Sequence, residues 1–237
     1  MEQEVLNIII AVVVVLLTLV FFLIYRWGKT TKRTVLLTGI SDSGKTLIFT
    51  RLVQNKFVHT HTSIKENSAE YTTTKDRTVQ IVDIPGHERL RGKFLEQYKK
   101  NARAFIYVID SLTLQKDVRD VADYLYTLLT DGETGKCRNV LIFCNKQDHA
   151  TAKGIPVIKA VLEKELNTVR TTRTHSLQST DGSDSGEIYL GIKDQEFDFA
   201  HLLPTVVSFA EGYALNKDNE AAKANLEPLI DWIGQIS

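Results

Sequence analysis

The chain has 237 residues, with 29 Lys and Arg set against 29 Asp and Glu, and so carries no formal net charge. That length suits one domain of about 200 residues with an appendage, and the balance excludes a protein whose whole surface is built to hold nucleic acid. Its two cysteines, Cys137 and Cys144, make neither a disulfide framework nor a complete metal site and read as small core side chains in a reducing compartment.

The chain opens on an apolar run, Val5 to Tyr25, interrupted only by Asn7 and Thr18. A helix rises ~1.5 Å per residue, so about 20 such residues cross a hydrocarbon core of roughly 30 Å. A cleaved signal peptide wants a basic start, a shorter apolar stretch and a small-residue cleavage site. Here the start is acidic (Glu2, Glu4) and the run ends in Tyr25-Arg26-Trp27. The expectation is a retained membrane helix with Tyr25 and Trp27 at the interface. Arg26, Lys29, Lys32 and Arg33 all follow the run, and no basic residue precedes it. The positive-inside rule then leaves the N-terminus outside the cytosol and the rest inside it. The expected organisation is residues 1–25 as N-terminus and membrane helix, 26–33 as a basic juxtamembrane linker, and 34–237 as a cytosolic domain.

Thr34 to Thr38 is short, apolar and β-branched and predicts a buried strand; Leu47 to Val53 is apolar at helical spacing. Lys56 to Asn67 reads as a loop, and Ser68–Thr74 and Thr78–Asp83 as two strands of a hairpin turning at Lys75-Asp76-Arg77. Arg89–Asn101 is a charged amphipathic helix, Ala104–Asp110 a buried strand, and Asp117–Leu129 a helix. Asp131 to Arg138 is turn-rich and Val140–Cys144 is the next strand. Pro156 opens a helix to about Val169. Arg170 to Ile188 is rich in Thr, Ser, Asp and Gly and predicts an extended surface loop, part of a polar insert at about 170–200. Val206–Ala210 reads as a last strand and Glu227–Ile236 as a closing helix. Strands and helices alternate, so the fold class is α/β, a mostly parallel sheet with helices on both faces.

Between the first strand and its helix lies Gly39-Ile40-Ser41-Asp42-Ser43-Gly44-Lys45-Thr46, of the form G-x-x-x-x-G-K-[ST]. Its glycines let the backbone of Ser41, Asp42 and Ser43 curl around a phosphate, with amides and the helix N-terminus facing the anion. Lys45 would reach the β- and γ-phosphates and Thr46 would bind Mg²⁺. A phosphate loop does not choose a base, but Asn145-Lys146-Gln147-Asp148, about 100 residues on and at a strand's carboxyl end, does. The Asp148 carboxylate can accept from guanine N1–H and its 2-amine, whereas adenine would leave it buried and unpaired. Lys146 can lay its stem along the base, and Asn145 can tie this loop to the phosphate loop. Asp83 ends a strand where it can hold Mg²⁺ through a water. In the following Ile84-Pro85-Gly86-His87-Glu88, Gly86 can bring its amide to the γ-phosphate, an approach that a β-carbon would hinder.

Together these motifs resemble the small GTPases over Thr34 to Ser237. The apolar N-terminal run, Asp42 within the phosphate loop and Asp83-x-Pro85-Gly86-His87-Glu88 narrow the resemblance to the β subunits of the signal recognition particle receptor. Thr62-Ser63-Ile64, the run Leu162-Glu163-Lys164-Glu165-Leu166-Asn167-Thr168-x-Arg170, Glu196-Phe197-x-Phe199 and Leu203-Pro204 are similar to the same family. The resemblance implies GTP or GDP with Mg²⁺ as ligands and an address in the endoplasmic reticulum membrane, crossed once, with the GTPase domain cytosolic. It also implies a partner, the N-terminal domain of the receptor α subunit, bound in the GTP state. Through that partner, ribosomes carrying secretory chains are delivered to the translocon. Besides membrane lipids, no direct nucleic-acid contact is expected. By resemblance Thr62 is the switch threonine that touches Mg²⁺ or the γ-phosphate, with Thr60 two residues away.

Two positions depart from the small-GTPase pattern. The last guanine motif usually reads Ser-Ala-Lys. Laid on the family's Leu-Pro and Phe landmarks, Ala214 in Glu211-Gly212-Tyr213-Ala214-Leu215 gives its amide to guanine O6. A second register uses Ser208-Phe209-Ala210. His87 stands where Ras-like enzymes carry Gln, and is the candidate water-positioning residue. Imidazole can orient water if it is swung into place, so hydrolysis is expected to be slow. The alternative reading is an Arf-like membrane-tethered switch in vesicle traffic. A spanning helix cannot leave the membrane as a myristoylated amphipathic helix does, which counts against it.

Overall fold

The computed structural model describes residues 2–27, 33–180, 189–215 and 224–237. The chain forms two compact units, Met1–Lys32 and Arg33–Ser237. The first contains one helix, α1 (Glu2–Trp27), which takes in the whole apolar run. Between Ala11 and Phe21 every side chain is exposed, and the lone hydroxyl there, on Thr18, donates to the Val15 carbonyl at 2.8 Å. Among the described residues no helix is long and apolar enough to cross a membrane. The side chains of Tyr25 and Trp27 and the linker residues 28–32 lie outside the described residues.

The second unit is built on a six-stranded sheet of β1 (Thr34–Thr38), β2 (Asn67–Thr72), β3 (Thr78–Asp83), β4 (Ala102–Asp110), β5 (Asn139–Asn145) and β6 (Val206–Glu211), in the order β2-β3-β1-β4-β5-β6. All pairings are parallel except β2 with β3. Central strands buried on both faces need continuous apolar runs, which β1, β4 and β5 supply. Successive side chains point to opposite faces. Leu36, Phe105, Tyr107, Val140 and Ile142 therefore meet α3 (Glu88–Tyr98), α4 (Leu114–Thr130) and α5 (Ile155–Thr180) on one side. Leu37, Ile106, Val108, Leu141 and Phe143 meet α2 (Lys45–Gln54) and α6 (Glu227–Ile236) on the other. The edge strand β2 alternates half-buried and exposed residues, as a strand with one covered face does.

Several boundaries differ from the sequence expectation. α4 begins at Leu114, and α3 ends at Tyr98 and tightens into a 3₁₀ turn, Lys99–Asn101. The turn-rich stretch after α4 holds another 3₁₀ turn, Thr134–Lys136. The expected loop from Arg170 to Ile188 is the largest correction, because α5 continues to Thr180. The polar composition hid a helix whose side chains satisfy themselves on the helix and on its neighbour. Thr171 and Thr172 return their hydroxyls to the carbonyls of Asn167 and Thr168, at 2.8 and 2.9 Å. Arg173 pairs with Asp123 of α4 at 2.6 Å and lies over the Tyr126 ring. Arg170 is buried and donates to the carbonyls of Leu190, Ile192 and Gln195, which fastens the returning chain onto α5. Residues 181–188 of the expected loop lie outside the described residues.

Candidate nucleotide-binding site

Parallel strands bring their carboxyl ends to one edge, and the loops that follow β1, β3, β5 and β6 converge there. They enclose a cleft of ≈310 Å³ whose wall includes Ser41, Asp42, Gly44, Lys45, Thr46, Gly86, Asn145, Lys146, Asp148 and Ala214. The phosphate loop has its shape because Gly39, Asp42 and Gly44 take positive φ, 142°, 61° and 90°. A β-carbon on Gly39 would fall on the Val108 carbonyl, and one on Gly44 on the Asn145 amide. Gly44 also caps α2 with no side chain over the helix start and no acidic residue in its first turn. The first amides of the helix are thus left for an anion.

Lys45 is only 5% exposed. Its ammonium donates to the Ile40 carbonyl at 2.6 Å. Burial pushes its pKa down to about 8, against the pull of Asp83 and Asp42. A buried ammonium held this way gains from an anionic ligand. Gly86 lies hard against the phosphate loop: a β-carbon there would come within 2.6 Å of the Ser41 amide, the Ile40 backbone and the Lys45 ammonium.

The candidate metal anchor is the pair Thr46 and Asp83. Thr46 Oγ1 donates to Asp83 Oδ2 at 2.8 Å, and Asn67 Nδ2 donates to the same oxygen at 3.0 Å. Asp83 is fully buried and its Oδ1 has no hydrogen-bond partner. Burial raises its pKa, opposed by Thr46, Asn67 and Lys45. An orphaned carboxylate oxygen beside a hydroxyl is a hard-oxygen donor set that suits Mg²⁺. Among the described residues no group of three or more His, Cys, Asp or Glu could hold a metal. Thr62 and Thr60 line the cleft, but the residue joined to Thr46 is Ser63, Oγ to Oγ1 at 2.9 Å.

Asn145 joins the two halves of the site. Its Nδ2 donates to the Ser43 carbonyl at 2.8 Å, and its Oδ1 accepts from the Ala214 amide at 3.3 Å. Lys146, with φ 66°, pairs with Asp110 at the end of β4 at 2.7 Å. Gln147 braces the loop from behind through Ser111 and the Lys153 carbonyl, at 3.0 and 2.9 Å. Asp148 faces the cleft with His149 Nε2 3.6 Å away. Of the two registers left open, Ala214 lines the cleft while Ala210 lies within β6, opposite Phe143.

Not every expected residue reaches the wall. Gly39 and Ser43 are buried and shape the loop from beneath. His87 is exposed and turned away: as the cap of α3, its Nδ1 accepts from the Arg89 amide at 3.3 Å. Ser63, Asn67 and Asp110 were absent from the sequence expectation. Only Asp110, a lone carboxylate closing an apolar strand, carried a signal that could have flagged it.

This fold and this cleft define a phosphate-loop protein of the small-GTPase class. Residues 30–206 match the family model "Signal recognition particle receptor beta subunit", and the chain belongs to that family. The human signal recognition particle receptor subunit beta is 42% identical over 239 residues, covering 100% of this chain and 88% of the relative. A solved structure of the mammalian SRP receptor is 39% identical and covers 86% of this chain and 100% of that chain, with TM-score 0.75. The receptor SRb-GDP-Mg from Chaetomium thermophilum is 25% identical and covers 88% and 100%, with TM-score 0.61. Human ADP-ribosylation factor-like protein 5A is more distant, 32% identical over 55% of this chain and 70% of that protein.

Proposed function

We propose that the cleft holds GTP or GDP, and that the chain serves as the membrane-anchored GTP-binding subunit of a signal recognition particle receptor. The observation that carries this is the single cleft, which gathers the phosphate loop, Asn145–Asp148 and Ala214 from strand ends far apart in the chain. Ser41 to Lys45 hold the phosphates through backbone amides and the ammonium. Lys146 supports the base, Asp148 reads its N1–H and 2-amine, and the Ala214 amide faces its O6. Asn145 keeps base and phosphate subsites in register. Thr46, with Asp83 through a water and Thr62 from across the cleft, would hold Mg²⁺. When bound, that ion neutralises charge on the β- and γ-phosphates. Gly86, packed on the phosphate loop, senses the terminal phosphate, because any group entering there displaces it.

The His87 ring caps α3 and does not line the cleft in this conformation, which supports a reading in which hydrolysis is slow and GTP acts mainly as a held ligand. Turnover of several per second by the full chain without an added protein would overturn this. Membership of a family of receptor beta subunits supports a further receptor subunit as partner; in this reading it is the α subunit, bound in the GTP form, with the ribosome and translocon downstream. Helix α1 is the single span in the endoplasmic reticulum membrane, its N-terminus lumenal and the GTPase unit cytosolic. This rests on the length of the apolar run and the basic residues after it.

The test of the site is Asp148→Asn. Preference should move from guanine to xanthine nucleotides, since the 2-oxo group of xanthine accepts where the 2-amine of guanine donates. The loss for GDP, measured by titration, should be on the order of 10²-fold or more, as expected when a buried polar pair is broken. Unchanged GDP affinity would remove the base-reading role.

A further inference from the structure

A parallel sheet has two ends, and the cleft uses one. The other end, where β1, β4, β5 and β6 begin, is distinguished by its charge. Arg33 precedes β1, Lys100 and Arg103 flank the start of β4, and Lys136 and Arg138 precede β5. All are exposed. The registers set Thr34 opposite Ala102 and Ala104 opposite Asn139. Arg33, Arg103 and Arg138 therefore follow one another across adjoining strands, which lie ~4.8 Å apart.

Of the acids nearby, exposed Glu70 lines a shallow depression with Arg33, and the others are engaged. Glu96 and Asp131 pair with Lys99, and Glu133 lies 3.7 Å from Lys136. Among the described residues Arg33, Lys100, Arg103 and Arg138 are in no ion pair. The Val206 amide donates to the Arg138 carbonyl at 2.7 Å. This brings an apolar turn beside the basic row, with Leu203 79% and Val206 53% exposed.

We propose that this end of the unit lies on an anionic phospholipid bilayer, with Arg33, Lys100, Arg103 and Arg138 among the headgroups and Leu203 in the interface. The proposal rests on reading α1 as a membrane helix. In the sequence only residues 28–32 lie between that helix and Arg33. Near an anionic surface each Lys or Arg adds roughly fivefold to partitioning. The exposed leucine favours a bilayer over RNA, whose phosphates would match the basic row alone. β4, nine residues long, separates the two ends by about 30 Å. The cleft and the neighbouring loop with Ile64, 73% exposed, then face away from the lipid and are open to a protein partner.

The test uses the full chain in nanodiscs of phosphatidylcholine, with or without phosphatidylserine, doped with a nitroxide-lipid quencher. Leu203→Cys and Ile64→Cys each carry an environment-sensitive dye; the native Cys137 and Cys144 are buried. The Leu203→Cys reporter should be quenched severalfold more in the anionic discs, and the Ile64→Cys reporter equally little in both. Changing Arg33, Lys100, Arg103 and Arg138 together to Gln should abolish the lipid dependence while GDP binding, which reports folding, stays unchanged. An unquenched Leu203→Cys reporter in anionic discs overturns the proposal, as does quenching that survives the fourfold change. Tighter retention on an RNA oligonucleotide than on anionic lipid also overturns it. Alkaline extraction reads α1 separately. Release at alkaline pH with anionic quenching intact upholds the surface and removes the helix; retention with no quenching does the reverse.

Discussion

At the scale of the residue, Asn145 shows how one amide can couple two subsites. It donates to the phosphate loop at Ser43 and accepts from the base loop at Ala214. Loss of either contact strands a buried polar group, at a cost of about 1–3 kcal/mol. The sequence pointed to the first contact, since the motif alone suggests a tie to the phosphate loop. The second depended on β6 lying beside β5 in the observed register. His87 illustrates the opposite case. Its position after Pro85-Gly86 reads as that of a water-positioning residue, yet its ring is spent on capping α3. A positioned general base contributes about 10²–10⁴-fold to a rate. His87→Ala should therefore leave the basal GTP turnover of the free chain within about twofold and cost about 0.5 kcal/mol or less of stability, at the weak end of helix caps. A fall in single-turnover rate of tenfold or more would place the ring at the reacting phosphate.

At the scale of the element, the turn between α4 and β5 is held by Asp131. Its Oδ1 accepts from the amides of Glu133 and Thr134 at 2.8 and 3.0 Å, and its Oδ2 from Lys99 at 2.8 Å. Burial pushes its pKa up, but the hydrogen bonds from Lys99, Thr134 and Glu133 outweigh this and hold it below the ordinary value. The folded pKa is the lower one, so the contribution is fully present above the unfolded value, near pH 4. It is lost as pH falls through the folded value. Asp131→Ala should lower stability by about 1–2 kcal/mol at pH 7, and the difference from the wild type should shrink below pH 4. Urea unfolding at pH 7 and pH 3 checks this; a gap of equal size at both would mean that the charge is not what matters. The same scale shows where composition misleads. The stretch from Arg170 to Thr180 lacks apolar periodicity, yet it is helical, anchored where Arg170 fastens the returning chain and Arg173 finds Asp123 on α4. No spacing along the chain announces a partner 50 residues away.

At the scale of the whole molecule, the sheet separates two kinds of surface. The carboxyl end of the strands carries the cleft and the loops around it, and the amino end carries Arg33, Arg103 and Arg138. The proposed output is a protein partner chosen by nucleotide state. With the full chain loaded with GTP or GDP, pull-down of the receptor α subunit's N-terminal domain should succeed in GTP and fall at least tenfold in GDP. Equal capture in both states would make the nucleotide a structural ligand of a permanent scaffold.

The sequence by itself determined the order of strands and helices, the phosphate loop, the base loop and the apolar N-terminal run. Each is a local pattern, with glycines at a strand-to-helix turn, Asn-Lys-x-Asp at a strand end, or a run of bilayer length interrupted only by Asn7 and Thr18, and each is legible within its own stretch of chain. Tertiary structure put Ala214, the first of the two registers, on the cleft, joined Ser63 to Thr46, and set the His87 ring on the start of α3. It also decided that the Lys45 pKa falls to about 8. These depend on which strands lie side by side and on how much water the packing removes, and neither is written in the spacing of residues along the chain.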